Sequence, residues 1–291
     1  MKKQWYVDSY TPNSQIHWRV KKLLFSKKTK FQDIEIFDLF DLGKSLVTDG
    51  IPQSCSKEEW IYHEALIHPA LILHPKKKNL EVLVLGAGEG ATLREILKHK
   101  NIKKITTVDI DRDAVEIFKK FFPEMHKRAF RHPKVDLIFD SAERFLKKSD
   151  KKYDVIYSDI SDPGYYNLSS QIRRPETYFY KLIRKNLSKD GILAMHTNNF
   201  SEILYKDHFR LKRILEKVFQ KTYSYRAHIS FFGGYWGFLI ASPQKNFNPF
   251  KISDKSLYQL FKQKGISGKL KYLSPEMFKA IFTLPPFLKR F

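Results

Sequence analysis

The chain of 291 residues has one cysteine, Cys55, so no disulfide can form within it, which favours a reducing compartment. It has no apolar run approaching the roughly 18 residues of a membrane span. The opening "MKKQWYVDSYTPNSQ" is basic but lacks the apolar stretch of a secretory leader, so a soluble cytoplasmic protein is expected. Histidine and cysteine do not cluster at metal-ligand spacing. His63, His68 and His74 read as side chains that pack or hydrogen-bond separately, and no metal is expected. Acidic residues are scarce: 31 Asp+Glu against 53 Lys+Arg give a net charge of +22. Such a surface attracts nucleic acid or anionic lipid. The basic residues fall, however, in small clusters at turns, such as "SKKTK", "HPKKKN" and "KKSDKK". They read as solvated turns, with neither nucleic acid nor membrane as a partner.

The composition, 42% hydrophobic and 15% aromatic, supplies a substantial core and excludes a disordered chain. Residues 1–58 read as short strands, with alternation in "FQDIEIFDLF" and "GKSLVTDG" and a turn at Asp49-Gly50, predicting a small antiparallel β domain. "EEWIYHEALIHPALIL" has helical spacing, with a packed face drawn from Trp60, His63, Ala65, Leu66 and Ala70. Apolar strands then alternate with helix patterns: "EVLVLG", "ATLREILKHK", "KITTVDID", "DAVEIFKKFFP", "VDLIFD", "SAERFLKK", "YDVIYSD", a helix "ETYFYKLIRKNLSKDG" ended by Gly191, and "ILAMHT". That rhythm predicts an α/β, doubly wound parallel sheet over 59–245, closed by a hairpin of "TYSYRAHIS" and "YWGFLIAS". Residues 246–291 form a Lys-rich extension with aromatic anchors, expected to pack on the core.

Two motifs carry the chemistry. In "VLVLGAGEGATLREIL", Gly86, Gly88 and Gly90 lie between a strand and a helix, where glycines allow a tight turn and close ligand approach. Asp109, 19 residues beyond Gly90, ends the next strand, where an acid bonds a ribose diol. Glu89 sits inside the loop. A carboxylate there repels a pyrophosphate and favours a ligand with an amine and no carboxylate, unless it simply points to solvent. The second motif is "YSDISDPGYY", which carries Asp159 to the carboxyl end of a strand, with Asp162 three residues on. Asp159, Asp162, Glu89 and Asp109 would then share one rim, and such like charges require a cation. An organic polycation fits better than a metal.

These segments resemble the polyamine aminopropyltransferases, the spermidine synthases and their relatives, over nearly the whole chain. "LVTDGIPQSCSKEEWIYHEALIHPALILHP", "VLVLGAGEG" and "DISDP" are similar to three ordered motifs of that family. The resemblance implies a Rossmann-like, class I methyltransferase-like catalytic sheet and a homodimer or homotetramer. It implies transfer of an aminopropyl group from the co-substrate decarboxylated S-adenosylmethionine to an amine, releasing methylthioadenosine, with no tightly bound cofactor. By motif position, Gln53 and Asp109 would hold the nucleoside, and Glu89 the aminopropyl ammonium. Tyr62 and His63 would line the amine channel, Asp159 would accept the proton, and Asp162 would hold the acceptor. The family's adenine-contacting acid-plus-small pair falls on Ser141-Ala142, with Asp140 one residue early. Its "TYPGG" is "SFFGG" here, placing Phe231 where putrescine-using members have tyrosine. The glycine-loop Glu and that Phe look more like members that extend longer acceptors, such as thermospermine synthases and triamine or agmatine aminopropyltransferases. Two other readings stay open: an S-adenosylmethionine-dependent methyltransferase acting on RNA, disfavoured by Glu89, and a non-catalytic polyamine- or nucleic-acid-binding relative.

Overall fold

The computed structural model describes residues 4–160 and 175–290. An antiparallel sheet comes first, in the order β1 (Trp5–Thr11), β2 (Ser14–Lys28), β3 (Asp33–Leu39), β4 (Gly43–Thr48) and β5 (Ile51–Cys55). The strands are not all short, as their alternation suggested. β2 runs for 15 residues, with register shifts against β3 between Val20 and Lys22 and between Leu23 and Phe25. Such irregularities let a long strand bend and twist without losing its ladder. The turn at Asp49-Gly50 forms because both residues adopt positive φ, 52° and 77°, which a tight hairpin requires.

The second sheet has the order β11-β12-β10-β9-β6-β7-β8. Its strands are β6 (Leu80–Leu85), β7 (Ile102–Asp109), β8 (Val135–Phe139), β9 (Tyr153–Ser158), β10 (Leu187–Asn199), β11 (Lys221–Ile229) and β12 (Gly234–Ser242). The central pairs β6–β7, β6–β9 and β9–β10 are parallel, and β12 is antiparallel to both its neighbours. β9 is buried at every position, Asp154 and Ser158 included, as a central strand covered on both faces should be. The strand order reverses between β6 and β9, and their carboxyl ends form the crevice in which such sheets bind ligands.

Around this sheet lie α1 (Glu59–Leu73), α2 (Ala91–Leu97), α3 (Arg112–Phe121), α4 (Pro123–His126), α5 (Ala142–Lys148), α6 (Thr177–Asn186) and α7 (Lys206–Glu216). The expected helix through Gly191 stops early: α6 ends at Asn186 and Leu187 already pairs with Tyr153. The Asn186 amide donates to the Leu146 and Leu182 carbonyls, closing the helix, and a register shift between Leu187 and Ile192 absorbs the extra residues.

Helix α1 packs on nearly all sides rather than along one face. Every residue from Tyr62 to Ile72 is buried. Pro69 lies inside it and cannot donate to the Ala65 carbonyl; the Tyr225 hydroxyl donates to that carbonyl instead, at 3.1 Å. The C-terminal residues add α8 (Asp254–Lys264) and α9 (Pro275–Phe282), whose Leu257, Phe261, Phe278 and Phe282 share one core with α1 and the large sheet. They are pinned by the fully buried Glu64 carboxylate, which accepts the consecutive N–H groups of Lys271, Tyr272 and Leu273 at 2.9, 2.8 and 2.9 Å. Replacing Glu64 by alanine strands these donors. Chemical denaturation should show a loss of about 3 kcal/mol or more, whereas Glu216→Ala, which breaks an exposed i,i+4 pair with Lys212, should stay within about 0.5 kcal/mol.

Candidate active site

The glycine loop follows β6 directly. Gly86 has φ +93°, and a Cβ there would collide with the Asp159 carbonyl. The glycine therefore lets the β6 loop and the end of β9 touch; the Asp159 N–H also donates to the Leu85 carbonyl at 2.8 Å. The two sequence motifs thus meet as one piece of backbone. At Gly90, also at positive φ, a Cβ would strike the Phe130 ring, whereas beside Gly88 there is open space.

Asp109 ends β7 facing this loop. Its Oδ2 accepts from the Ala87 N–H and its Oδ1 from the Asp111 N–H, each at 2.8 Å. Burial raises its pKa and those backbone donors oppose the rise. Asp111 caps α3 by accepting from the Ala114 N–H and receives the Thr29 hydroxyl at 2.6 Å and the Gln32 amide at 3.1 Å. The β2–β3 turn of the first sheet thereby fixes the segment that carries Asp109. Nothing in the spacing of Thr29, Gln32 and Asp111 announced this contact.

Asp159 holds two hydroxyls: Tyr62 donates to Oδ1 at 2.5 Å and Thr92, in the first turn of α2, to Oδ2 at 2.8 Å. Burial first, then the charge of Asp159, pushes the Tyr62 phenol well above its ordinary pKa, so it stays a donor. Glu89 does not point to solvent. It is buried, with its Oε1 3.8 Å from His63 Nε2. His63 Nδ1 lies 2.7 Å from the Glu59 carbonyl and 2.9 Å from Glu59 Oε2. Arg94 grips the same Glu59 with two bonds of 2.9 Å and donates to the Met125 carbonyl at 2.6 Å. Burial favours neutral forms here, but the pairing wins. The hydrogen bond and charge of Glu59, then Glu89 and Asp159, raise the His63 pKa to about 9, and His63 and Arg94 lower that of Glu59 to about 2.

A cleft beside these acids is lined by Gln53, Glu58, Glu59, Tyr62, Phe231 and Phe232. Phe231 is buried edge-on against Tyr6 and Trp18 of the first sheet, and Phe232 packs on Trp236 and Tyr62. The Phe231 N–H donates to Glu58 at 2.6 Å, which fixes this wall to α1. The crevice thus offers an acid at the end of β7, a buried acid inside the glycine loop, an acid at the end of β9 and an aromatic cleft.

Residues 59–251 match the spermine/spermidine synthase domain and residues 4–54 the spermidine synthase tetramerisation domain. The chain belongs to the spermine/spermidine synthase family. It is 34% identical to a polyamine aminopropyltransferase of Sulfurisphaera tokodaii, over 98% of this chain and 92% of the relative. Against a polyamine aminopropyltransferase of Bacillus subtilis the identity is 33%, over 99% and 98%, and against an Arabidopsis thaliana thermospermine synthase 30%, over 96% and 80%. The spermidine synthase of Thermotoga maritima superposes with a TM-score of 0.85 at 28% identity, covering 100% of this chain and 95% of that one. The protein is a transferase of the aminopropyltransferase type.

In this spermidine synthase-type crevice, Asp109 bonds the glycine loop, Glu89 of that loop faces His63, and Asp159 accepts from Tyr62. Gln53 is exposed, at the cleft mouth. Asp162 and the "GYY" that follows lie outside the described residues. Of the adenine candidates, Ser141 caps α5 by accepting the Arg144 N–H, and Asp140 accepts from its own Ser141 N–H and from the Arg144 side chain. Ala142 opens α5, and Arg112 stacks on Phe139 at 4.1 Å beside them. Thr92, Glu58, Glu59 and Arg94 were missed as site residues. Thr92 had a usable signal, since it follows the glycine loop by two residues. Among the described residues no cluster of His, Cys, Asp and Glu could hold a metal ion.

The titrations set a pH window. The raised His63 pKa contributes stability that is full below about 6.5 and lost as pH climbs through about 9. The lowered Glu59 pKa contributes stability that is present above about 4.5 and lost as pH falls through about 2. Denaturant melts should therefore show stability declining from pH 6.5 to 9, and His63→Gln should flatten that decline.

Proposed function

We propose that the protein transfers the aminopropyl group of decarboxylated S-adenosylmethionine to an elongated amine, spermidine or agmatine in preference to putrescine, and releases methylthioadenosine. The observation that carries this reading is the buried Glu89 inside the glycine loop, which faces His63 Nε2 while Arg94 is held by Glu59 at the ring's other nitrogen. A carboxylate in that position welcomes an ammonium and repels the carboxylate of ordinary S-adenosylmethionine, which disfavours a methyltransferase. A related spermidine synthase structure, TM-score 0.83, holds the transition state analogue AdoDATO, consistent with a two-substrate site of this shape.

In this reading Asp109 and Gln53 hold the nucleoside, with Asp140, Ser141 and Ala142 beside the adenine, and the space at Gly88 admits the ligand. The sulfonium makes the adjacent carbon electrophilic, so displacement is in line. The attacking amine must be neutral, and an alkyl amine of pKa about 10 costs roughly 4 kcal/mol to deprotonate at pH 7. Both oxygens of Asp159 already accept hydroxyl bonds. Its role is to orient the nitrogen and to receive the proton as the C–N bond forms and the nitrogen turns acidic. Tyr62 and Thr92 hold the carboxylate in one orientation, and fixing two cations in line supplies much of the rate.

The acceptor preference rests on the cleft. Phe231 offers no hydroxyl to the end of a short diamine, while the rings of Tyr62, Phe231 and Phe232 suit the alkyl stem and charges of a longer cation. Oligomerisation through the first sheet follows from its match to the tetramerisation domain.

Incubation with the decarboxylated donor and putrescine, agmatine or spermidine should release methylthioadenosine fastest with one of the longer amines; no product with any of them refutes the reading. Asp159→Asn should lower kcat by about 10²- to 10⁴-fold while sparing nucleoside binding. Glu89→Gln should raise the donor KM about 10- to 100-fold and narrow its advantage over S-adenosylmethionine. Phe231→Tyr should shift relative kcat/KM towards putrescine.

A further inference from the structure

His63 has two nitrogens with opposite tasks. Nδ1 faces only acceptors, the Glu59 carbonyl and carboxylate, so it carries a hydrogen in every state. Nε2 faces Glu89 Oε1 at 3.8 Å. A neutral ring would aim a lone pair at that carboxylate; only the doubly protonated ring aims an N–H at it. Both side chains are buried, 5% and 9% exposed. Arg94 is committed to Glu59, Glu95 and the Met125 carbonyl. Among the described residues no lysine or arginine pairs with Glu89. The charges facing His63 are Glu59 on its own helix, Glu89 on the glycine loop, Asp159 at the end of β9, and Arg94 of α2 behind Glu59.

We propose that the His63 imidazolium is the resident counter-cation of Glu89, and that the donor's primary ammonium replaces it by driving the Nε2 proton out of the site. This rests on the reading that Glu89 receives the donor ammonium. The balance is simple: the Nε2–H bond breaks, the proton passes to solvent, and the ring remains anchored through Nδ1. One cation leaves as one arrives, so the buried acids stay neutralised in both states. When the ammonium departs with the lengthened amine, the ring takes a proton back. His63 is thus a positioning residue that favours donors bearing an ammonium. Methylthioadenosine, which lacks one, leaves the His63–Glu89 pair intact.

Because the free enzyme's His63 holds its proton up to about pH 9, donor affinity should rise with pH, by up to tenfold per unit between pH 7 and 8.5. Titration calorimetry of the full-length protein in two buffers of different ionisation enthalpy counts the protons. At pH 7.5 the decarboxylated donor should release about 0.5 to 1 proton per site, and methylthioadenosine about none. His63→Gln should abolish the release and flatten the pH dependence of donor Kd while leaving methylthioadenosine affinity within about twofold. Donor binding without proton release, or equal release with methylthioadenosine, overturns this inference and leaves the function intact. Failure of the donor to bind at all overturns both. The two-buffer measurement needs only the wild-type protein, so a variant that misfolds does not spoil it.

Discussion

Helix α1 buries carboxylates, and the rest of the structure is arranged around satisfying them. An ionised carboxylate away from water is tolerated only when cations or several N–H groups face it. Glu58 takes the N–H groups of Ser230 and Phe231, Glu59 takes Arg94 and His63, and Glu64 takes three backbone N–H groups of the C-terminal segment. Apart from His63, which lies on the same helix, the partners come from three stretches of chain: the β11–β12 connection, the helix after the glycine loop, and residues 271–273. The start of one helix therefore fixes the wall at Phe231, the helix after the glycine loop and the tail together, and it also lends Tyr62 and His63 to the crevice.

The same logic reconciles a net charge of +22 with the cationic substrates proposed above. Exposed charges are screened beyond about 8 to 10 Å at physiological salt, and the Lys-rich turns at 26–30, 75–79 and 147–152 are largely exposed. Inside the crevice, Glu89, Asp109 and Asp159 act at contact range in a low-dielectric setting, where a few buried acids outweigh many distant lysines. Arg94, a partly buried cation nearby, is held by Glu59 and Glu95.

Much of this was legible because it is local. Strand runs, the glycine loop, Asp109 at a strand end and the Asp49-Gly50 turn each carry their cause within a few residues. What escaped has its cause elsewhere in the chain. Asp111 reads as an ordinary helix cap until Thr29, 82 residues earlier, is seen to share it. The helix through Pro69 was legible, but the donor that replaces its missing N–H, the Tyr225 hydroxyl, was not. The premature end of α6 depends on Asn186 reaching Leu146. Glu89 was half legible: its position suggested an ammonium site, but its burial and its histidine neighbour needed the fold.

The hold of Glu64 on Lys271–Leu273 reaches across as many as 209 residues, and this orders events during synthesis. As the chain is made from its N-terminus, the catalytic sheet can assemble while that carboxylate still lacks its backbone partners. Only when residues 271–273 emerge can helix α1 lose its water on every side. Until then the nascent protein carries a hydrated acid where its finished core should be, and a stretch made much later decides when this helix becomes dry.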